Sequence, residues 1–260
     1  MSALNLSAIQ THLHWEDKAA NLKMFEEKIF AIPGKTEIVI LPEMFSTGFS
    51  MRPEVFAEKM DGPTLVWMKN VASERSIVLT GSLIIEEAGK YFNRLIWMLP
   101  DGTFGQYDKR HLFAYGGENA KYSPGARRLI ASVKGWKINL QVCYDLRFPV
   151  WTRQGKAGEY DLLINVANWP ERRASAWKLL LQARAIENQC YVVGLNRVGY
   201  DGNQIFHSGE SMIIDPMGEI LDHKSKDEAL LSCTLEKDRI EEVRMKFPFW
   251  KDADHFCIES

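Results

Sequence analysis

Two hydrophobic periods alternate along this chain. Residues 4–10 have the two-residue period of an opening strand, and residues 17–30 place Leu22, Phe25 and Ile29 at helical spacing before Pro33-Gly34 stops the pattern. Residues 37–43 are nearly continuously apolar and end in Pro42-Glu43, which predicts a strand covered on both faces that stops at a carboxylate. Leu65, Met68 and Ala72 mark a second helix over 64–75, started by Asp61-Gly62-Pro63. Residues 76–86, 91–99 and 103–113 are rich in β-formers and joined by turn dipeptides, a β-meander with Lys109 near its last strand's end.

The loop composition of 115–125 is followed by a hairpin of 129–133 with 137–142. Ile138, Leu140 and Val142 alternate there with Asn139, Gln141 and Cys143, and the pattern ends at Asp145, Arg147 and Pro149. A short helix near 150–155, a buried strand at 161–167 and the clearest helix, 171–189 with Trp177, Leu181 and Ala185 on one stripe, come next. Hairpin strands over 191–198, 210–215 and 219–235 and a last helix over 236–246 complete the pattern. Strands and helices intermixed in this way predict a layered α/β fold of mixed sheets with helices outside.

At 260 residues, with 46% hydrophobic content, the chain is expected to form a single domain over 1–260. The aromatic tail, residues 247–260, is expected to pack on its own core or on a second subunit. A net charge of -2 gives no basic footprint for nucleic acid and no polybasic membrane patch, which points to a small or locally recognised partner. With no secretory pattern at 1–6 and no apolar run of membrane length, a soluble, cytoplasmic protein is expected. Cys143, Cys190, Cys233 and Cys257 lack CxxC spacing, so neither disulfides nor structural zinc is expected. The pair His12 and His14 has no third ligand nearby, so no metal or organic cofactor is expected.

Glu43, Lys109 and Cys143 each sit at the end of a different strand, where open α/β folds collect ligands. A free thiol is only a few per cent thiolate at neutral pH, so a nucleophilic cysteine needs a base or a nearby cation. Glu43 is suited to take the thiol proton, and Lys109 with the Tyr144 backbone N–H to meet an oxyanion. The alternative for Cys143 is a small core hydrophobe. Phe45, Phe113, Tyr115, Tyr144 and Trp169 are candidates for pocket walls.

The stretches Leu41-Pro42-Glu43-Met44-Phe45, Tyr107-Asp108-Lys109-Arg110-His111-Leu112-Phe113 and Val142-Cys143-Tyr144-Asp145-Leu146-Arg147-Phe148 resemble, in order, the three active-site motifs of the nitrilase superfamily of carbon–nitrogen hydrolases. The resemblance implies a four-layer αββα sandwich of two mixed β-sheets flanked by helices, dimeric or larger. It also implies Glu43 as base, Lys109 as oxyanion stabiliser, Cys143 as nucleophile and Glu118 as a second glutamate that orients the lysine and substrate. True nitrilases typically carry tryptophan and glutamate after the cysteine; Tyr144-Asp145 here resembles the amidase branches, nearest to the ω-amidases acting on 2-oxoglutaramate and 2-oxosuccinamate. Such substrates carry a distal carboxylate, for which Arg172 or Arg173 is placed to be the anchor. Arg147 is a further candidate, but a position so close to the nucleophile often carries a structural ion pair, with a residue such as Asp145 or Glu187, and that role is the one expected of it. Open alternatives are an N-carbamoyl amino acid hydrolase or other aliphatic amidase, an acyl transferase to amines, and a non-catalytic binding module.

Overall fold

The computed structural model describes residues 3–155, 159–254 and 256–258. Residues 1 and 2 of the N-terminal stretch, and residues 255, 259 and 260 of the aromatic tail, lie outside these. The first half of the chain runs β1 (Ala3–Gln10), α1 (Lys18–Phe30), β2 (Ile38–Ile40), α2 (Pro53–Phe56), α3 (Pro63–Arg75), β3 (Val78–Glu87), β4 (Lys90–Met98) and β5 (Phe104–Asp108). There follow β6 (Ile130–Val133), β7 (Trp136–Val142), α4 (Pro149–Thr152), β8 (Leu162–Ala167), α5 (Ala174–Asn188) and β9 (Tyr191–Asn196). The chain continues through β10 (Val198–Tyr200), β11 (Phe206–Ile214), β12 (Ile220–Ser225), β13 (Ala229–Glu236) and α6 (Lys237–Lys246).

Two mixed sheets result, ordered β13-β1-β2-β3-β4-β5 and β10-β11-β9-β8-β7-β6, with β12 on β11. Each has a parallel centre, β1-β2-β3 in one and β7-β8-β9 in the other, extended by antiparallel strands. The apolar run at β2 shows why both faces had to be hydrophobic. Ile38 and Ile40 join a core that also holds Leu140 and Val142 of the opposite sheet, whereas Val39 packs with Phe25 and Ile29 of α1 and Met68 of α3. Helices α5 and α6 cover the second sheet through Trp177, Leu181, Ala185 and Ile240. The layers are therefore helix, sheet, sheet, helix, as the resemblance implies.

Local signals account for most boundaries. The Asp17 side chain accepts from Ala20 N at 3.0 Å and caps α1, and Pro63 opens α3 at a position where no N–H is needed. The long helix expected from residue 171 starts later, because Glu171–Arg173 form a separate 3-10 turn before α5. The helix expected near 150–155 is the single turn α4, and the loop at 115–125 contains the 3-10 turns Ala114–Gly116 and Glu118–Ala120. The expected strand pair over 219–235 divides between sheets: β12 pairs with β11, and β13 crosses to pair with β1 from Ala3↔Glu236 to Gln10↔Ala229.

One close approach fixes the exit of β5. Gly125 N donates to the Lys109 carbonyl at 2.9 Å, and a Cβ at 125 would run into the Asp108 carbonyl oxygen. Gly125→Ala should therefore lower unfolding free energy by about 1–3 kcal/mol, as overpacking against an unyielding backbone does, measured by urea denaturation.

Candidate active site

Four strand ends from both sheets meet at one mouth of the sandwich. Glu43 follows β2 and Lys109 follows β5 in the first sheet, while Cys143 follows β7 and Asn168 follows β8 in the second. Cys143 opens a 3-10 turn, Cys143–Arg147, with φ 46°, and Met44, next to Glu43, has φ 45°. Left-handed backbone at a non-glycine residue costs of order 1–3 kcal/mol and persists only where its surroundings enforce it. Both positions adjoin groups with chemical potential.

Lys109, Glu43 and Glu118 are fully buried and joined. Lys109 Nζ donates to Glu43 Oε1 at 2.8 Å and to Glu118 Oε2 at 2.9 Å. Asn93 Nδ2 donates to the same two carboxylates, at 2.8 Å to Glu43 and 3.1 Å to Glu118. The second oxygen of Glu43 accepts from Asn168 N at 2.8 Å, and Glu118 Oε2 accepts from Phe113 N at 2.6 Å. Burial works against the Lys109 charge, but Glu118 and Glu43 outweigh it and hold the ammonium above its ordinary range. Burial pushes the Glu118 carboxyl up, Lys109 pulls it down and Glu43 pushes it up again, leaving it raised.

The Cys143 thiol sits beside this trio and is only 8% exposed. Burial and the negative charge of Glu43 push it well above the usual thiol range, against the pull of Lys109. The resting form is thus a protonated thiol beside a carboxylate. Such a sulfur becomes nucleophilic only as that proton leaves, with an ammonium at hand for the charge that develops on a carbonyl oxygen.

Cys143 opens into a pocket of about 210 Å³. Tyr144, Trp169 and Tyr115 line it, with Tyr115 81% exposed at the rim. Arg172 and Arg173 also line it. Arg173 lies over the Phe113 ring at 5.0 Å, and burial and the neighbouring Arg172 and Arg147 cations hold its guanidinium below its usual range, against Cys143.

Two expectations are corrected. Phe45 does not wall the pocket: its N–H is held by Ser82 O, and its ring is drawn into the layer between sheet and helices, 5.7 Å from Phe25 and 5.9 Å from Trp67. Arg147 makes no ion pair with Asp145 or Glu187. Asp145 is taken by Tyr107 and His111 and Glu187 by Arg184, which leaves Arg147 over Trp169 at 4.9 Å in the pocket wall. Arg147, Arg172 and Arg173 have no ion-pair partner among the described residues.

Asn93 and Asn168 were missed. Asn168 carried a usable signal, because it ends a buried strand as Glu43 and Cys143 do. Asn93 carried a weaker one, a polar side chain inside a strand of apolar neighbours, where a buried amide must find partners.

The carbon-nitrogen hydrolase family profile matches residues 5–245. The omega-amidase YafV of Escherichia coli (strain K12) is 41% identical over 259 residues, 99% of this chain and 100% of that protein. The 2-oxoglutaramate amidase of Bacillus subtilis (strain 168) is 29% identical, covering 95% and 96% of the two chains. Among solved structures, XC1258 from Xanthomonas campestris, a CN-hydrolase superfamily protein with an arsenic adduct in its active site, superposes with TM-score 0.97 at 42% identity over 100% of both chains. Saccharomyces cerevisiae Nit3, of branch 10 of the nitrilase superfamily, superposes at 0.87 with 25% identity, covering 95% of each.

Removing the buried ammonium should expose its structural weight. Lys109→Met leaves two carboxylates buried without a cation and should cost about 3–5 kcal/mol of stability. An acid raised in the folded state binds more protons folded than unfolded, so stability falls as pH rises above the ordinary carboxyl value of 4.5. Urea denaturation should therefore show a larger deficit for the variant at pH 8 than at pH 5.

Proposed function

The chain belongs to the carbon–nitrogen hydrolase family, and on that premise we propose that it is a cysteine amidase releasing ammonia from the terminal amide of small 2-oxo acid monoamides, 2-oxoglutaramate and 2-oxosuccinamate. The observation that carries this reading is the polarity of the site: a thiol beside a buried carboxylate at one end, and three arginines with no ion-pair partner among the described residues lining the pocket. A neutral amide fits the first and a carboxylate the second.

In this reading Cys143 Sγ attacks the amide carbon as Glu43 takes the thiol proton. The carbonyl oxygen becomes an oxyanion beside Lys109 and the Tyr144 N–H. Glu43 passes the proton to nitrogen, the C–N bond breaks and ammonia leaves a thioester. Water then gives a proton to Glu43 and attacks the acyl carbon, and Cys143 departs and recovers that proton, so amide and water have become acid and ammonia. Glu118 accepts from Lys109 together with Glu43, so that the ammonium is shared between two carboxylates.

Arg173 anchors the distal carboxylate, with Arg147 and Arg172 adding to the field and Trp169, Tyr144 and Tyr115 forming the walls. The four free cysteines fit a reducing, cytoplasmic setting. Among the described residues, no helix is long and apolar enough to cross a membrane. We read the chain as one catalytic domain assembling as a homodimer or larger, with the aromatic tail, in which Phe249 is 61% exposed, at the subunit contact.

Cys143→Ala should abolish ammonia release from 2-oxoglutaramate while the far-UV circular dichroism stays unchanged; retained turnover would end the mechanism. A panel including N-carbamoyl amino acids should rank the 2-oxo acid monoamides first by kcat/KM. Arg173→Gln should raise KM for 2-oxoglutaramate about 10- to 100-fold, the worth of a charged hydrogen bond, and leave KM for a neutral aliphatic amide within about twofold.

A further inference from the structure

We propose that Asp145 is a positioning residue that sets the relation between the Cys143 sulfur and the Lys109 ammonium, acting through both. The inference rests on the reading of Cys143 as nucleophile. Asp145 is fully buried, and its carboxylate accepts four hydrogen bonds, one for each lone-pair direction. Oδ1 accepts from His111 N at 2.9 Å and from His111 Nδ1 at 2.8 Å. Oδ2 accepts from the Tyr107 hydroxyl at 2.8 Å and from Val142 N at 3.1 Å. Since a carboxylate only accepts, the imidazole must carry its proton on Nδ1 in this contact.

The placement of those donors gives the proposal its content. Tyr107 and His111 flank Lys109, two residues on either side, and Val142 directly precedes Cys143. One carboxylate thus ties the end of β5 in one sheet to the end of β7 in the other. The Val142 bond also closes a short loop around Cys143, whose φ of 46° would otherwise be free to relax.

The donors are themselves held. The Tyr107 hydroxyl accepts from Trp151 Nε1 at 2.9 Å, and the His111 ring stacks on Phe148 with centroids 3.7 Å apart and planes 6° apart. A rigid second layer of this kind is what keeps reacting groups within about 0.5 Å of productive geometry. In Asp145→Asn one oxygen is replaced by an NH2 group that would face N–H donors, so one side of the tie is lost while the volume is kept.

The test compares Asp145→Asn with wild type well below the melting temperature, normalised to folded protein. The expected result is a fall in kcat of about 30- to 100-fold with KM for 2-oxoglutaramate within about threefold, and a parallel slowing of Cys143 alkylation by iodoacetamide, which needs no amide substrate. A variant of lower melting temperature whose folded fraction keeps wild-type kcat and alkylation rate would overturn the proposal. If Asp145→Asn does not fold, Tyr107→Phe and His111→Gln each remove part of the tie. Each should lower kcat and alkylation about 5- to 20-fold, and unchanged values in both would overturn the proposal equally. Turnover by Cys143→Ala would defeat the amidase reading instead, so the two failures are distinguishable.

Discussion

An ammonium ion held between two carboxylates, out of reach of water, is the constraint on which the rest of this structure depends. Such charges survive burial only when every lone pair and proton finds a partner. Lys109, Glu43 and Glu118 meet that demand with donors from Asn93, Asn168 and Phe113. Because those donors stand on strands and turns of both sheets, neither sheet can shift far against the other without stranding a charge. The chemistry and the relative placement of the layers are therefore one problem with one solution. Charge balance matters as well: one ammonium faces two carboxylates, and burial together with Glu43 favours the protonated form of the thiol beside them.

The opposite field at the mouth gives the pocket direction. If Cys143 and the arginines act as proposed, a molecule with one anionic and one neutral end is drawn in with its neutral end toward Cys143. Hydrolysis converts that neutral end into a second carboxylate next to Glu43, where it is repelled. A single arrangement of charges thus favours entry of the amide in the right orientation and departure of the acid.

Much of this was legible in the sequence because the signals were local. Apolar runs that stop abruptly at Glu43 and Cys143 marked strand ends, and strand ends in layered α/β folds collect at a ligand site. What stayed hidden depended on orientation and competition. Phe45 has the same neighbours in sequence as a pocket residue, yet it turns into the apolar layer where Phe25 and Trp67 give its ring more contact. Arg147 looked committed to Asp145 by proximity, but His111 and Tyr107 reach that carboxylate first from a segment more than thirty residues away. The crossing between β12 and β13 was equally invisible, since a turn and two strands read alike whether the second strand stays in its sheet or leaves it.

That crossing bears on how the molecule is made. The eight residues of β1 find their antiparallel partner in β13, at the far end of the chain. During synthesis β1 must wait, with one edge open, until the more than 200 residues that separate it from β13 have followed. Contacts so distant along the backbone close slowly, and an unpaired edge is open to pairing with a neighbouring chain. Assembly of the first sheet is thus a late, whole-chain event, and a nascent chain cut short before residue 229 would be a candidate for chaperone retention rather than a partly active enzyme.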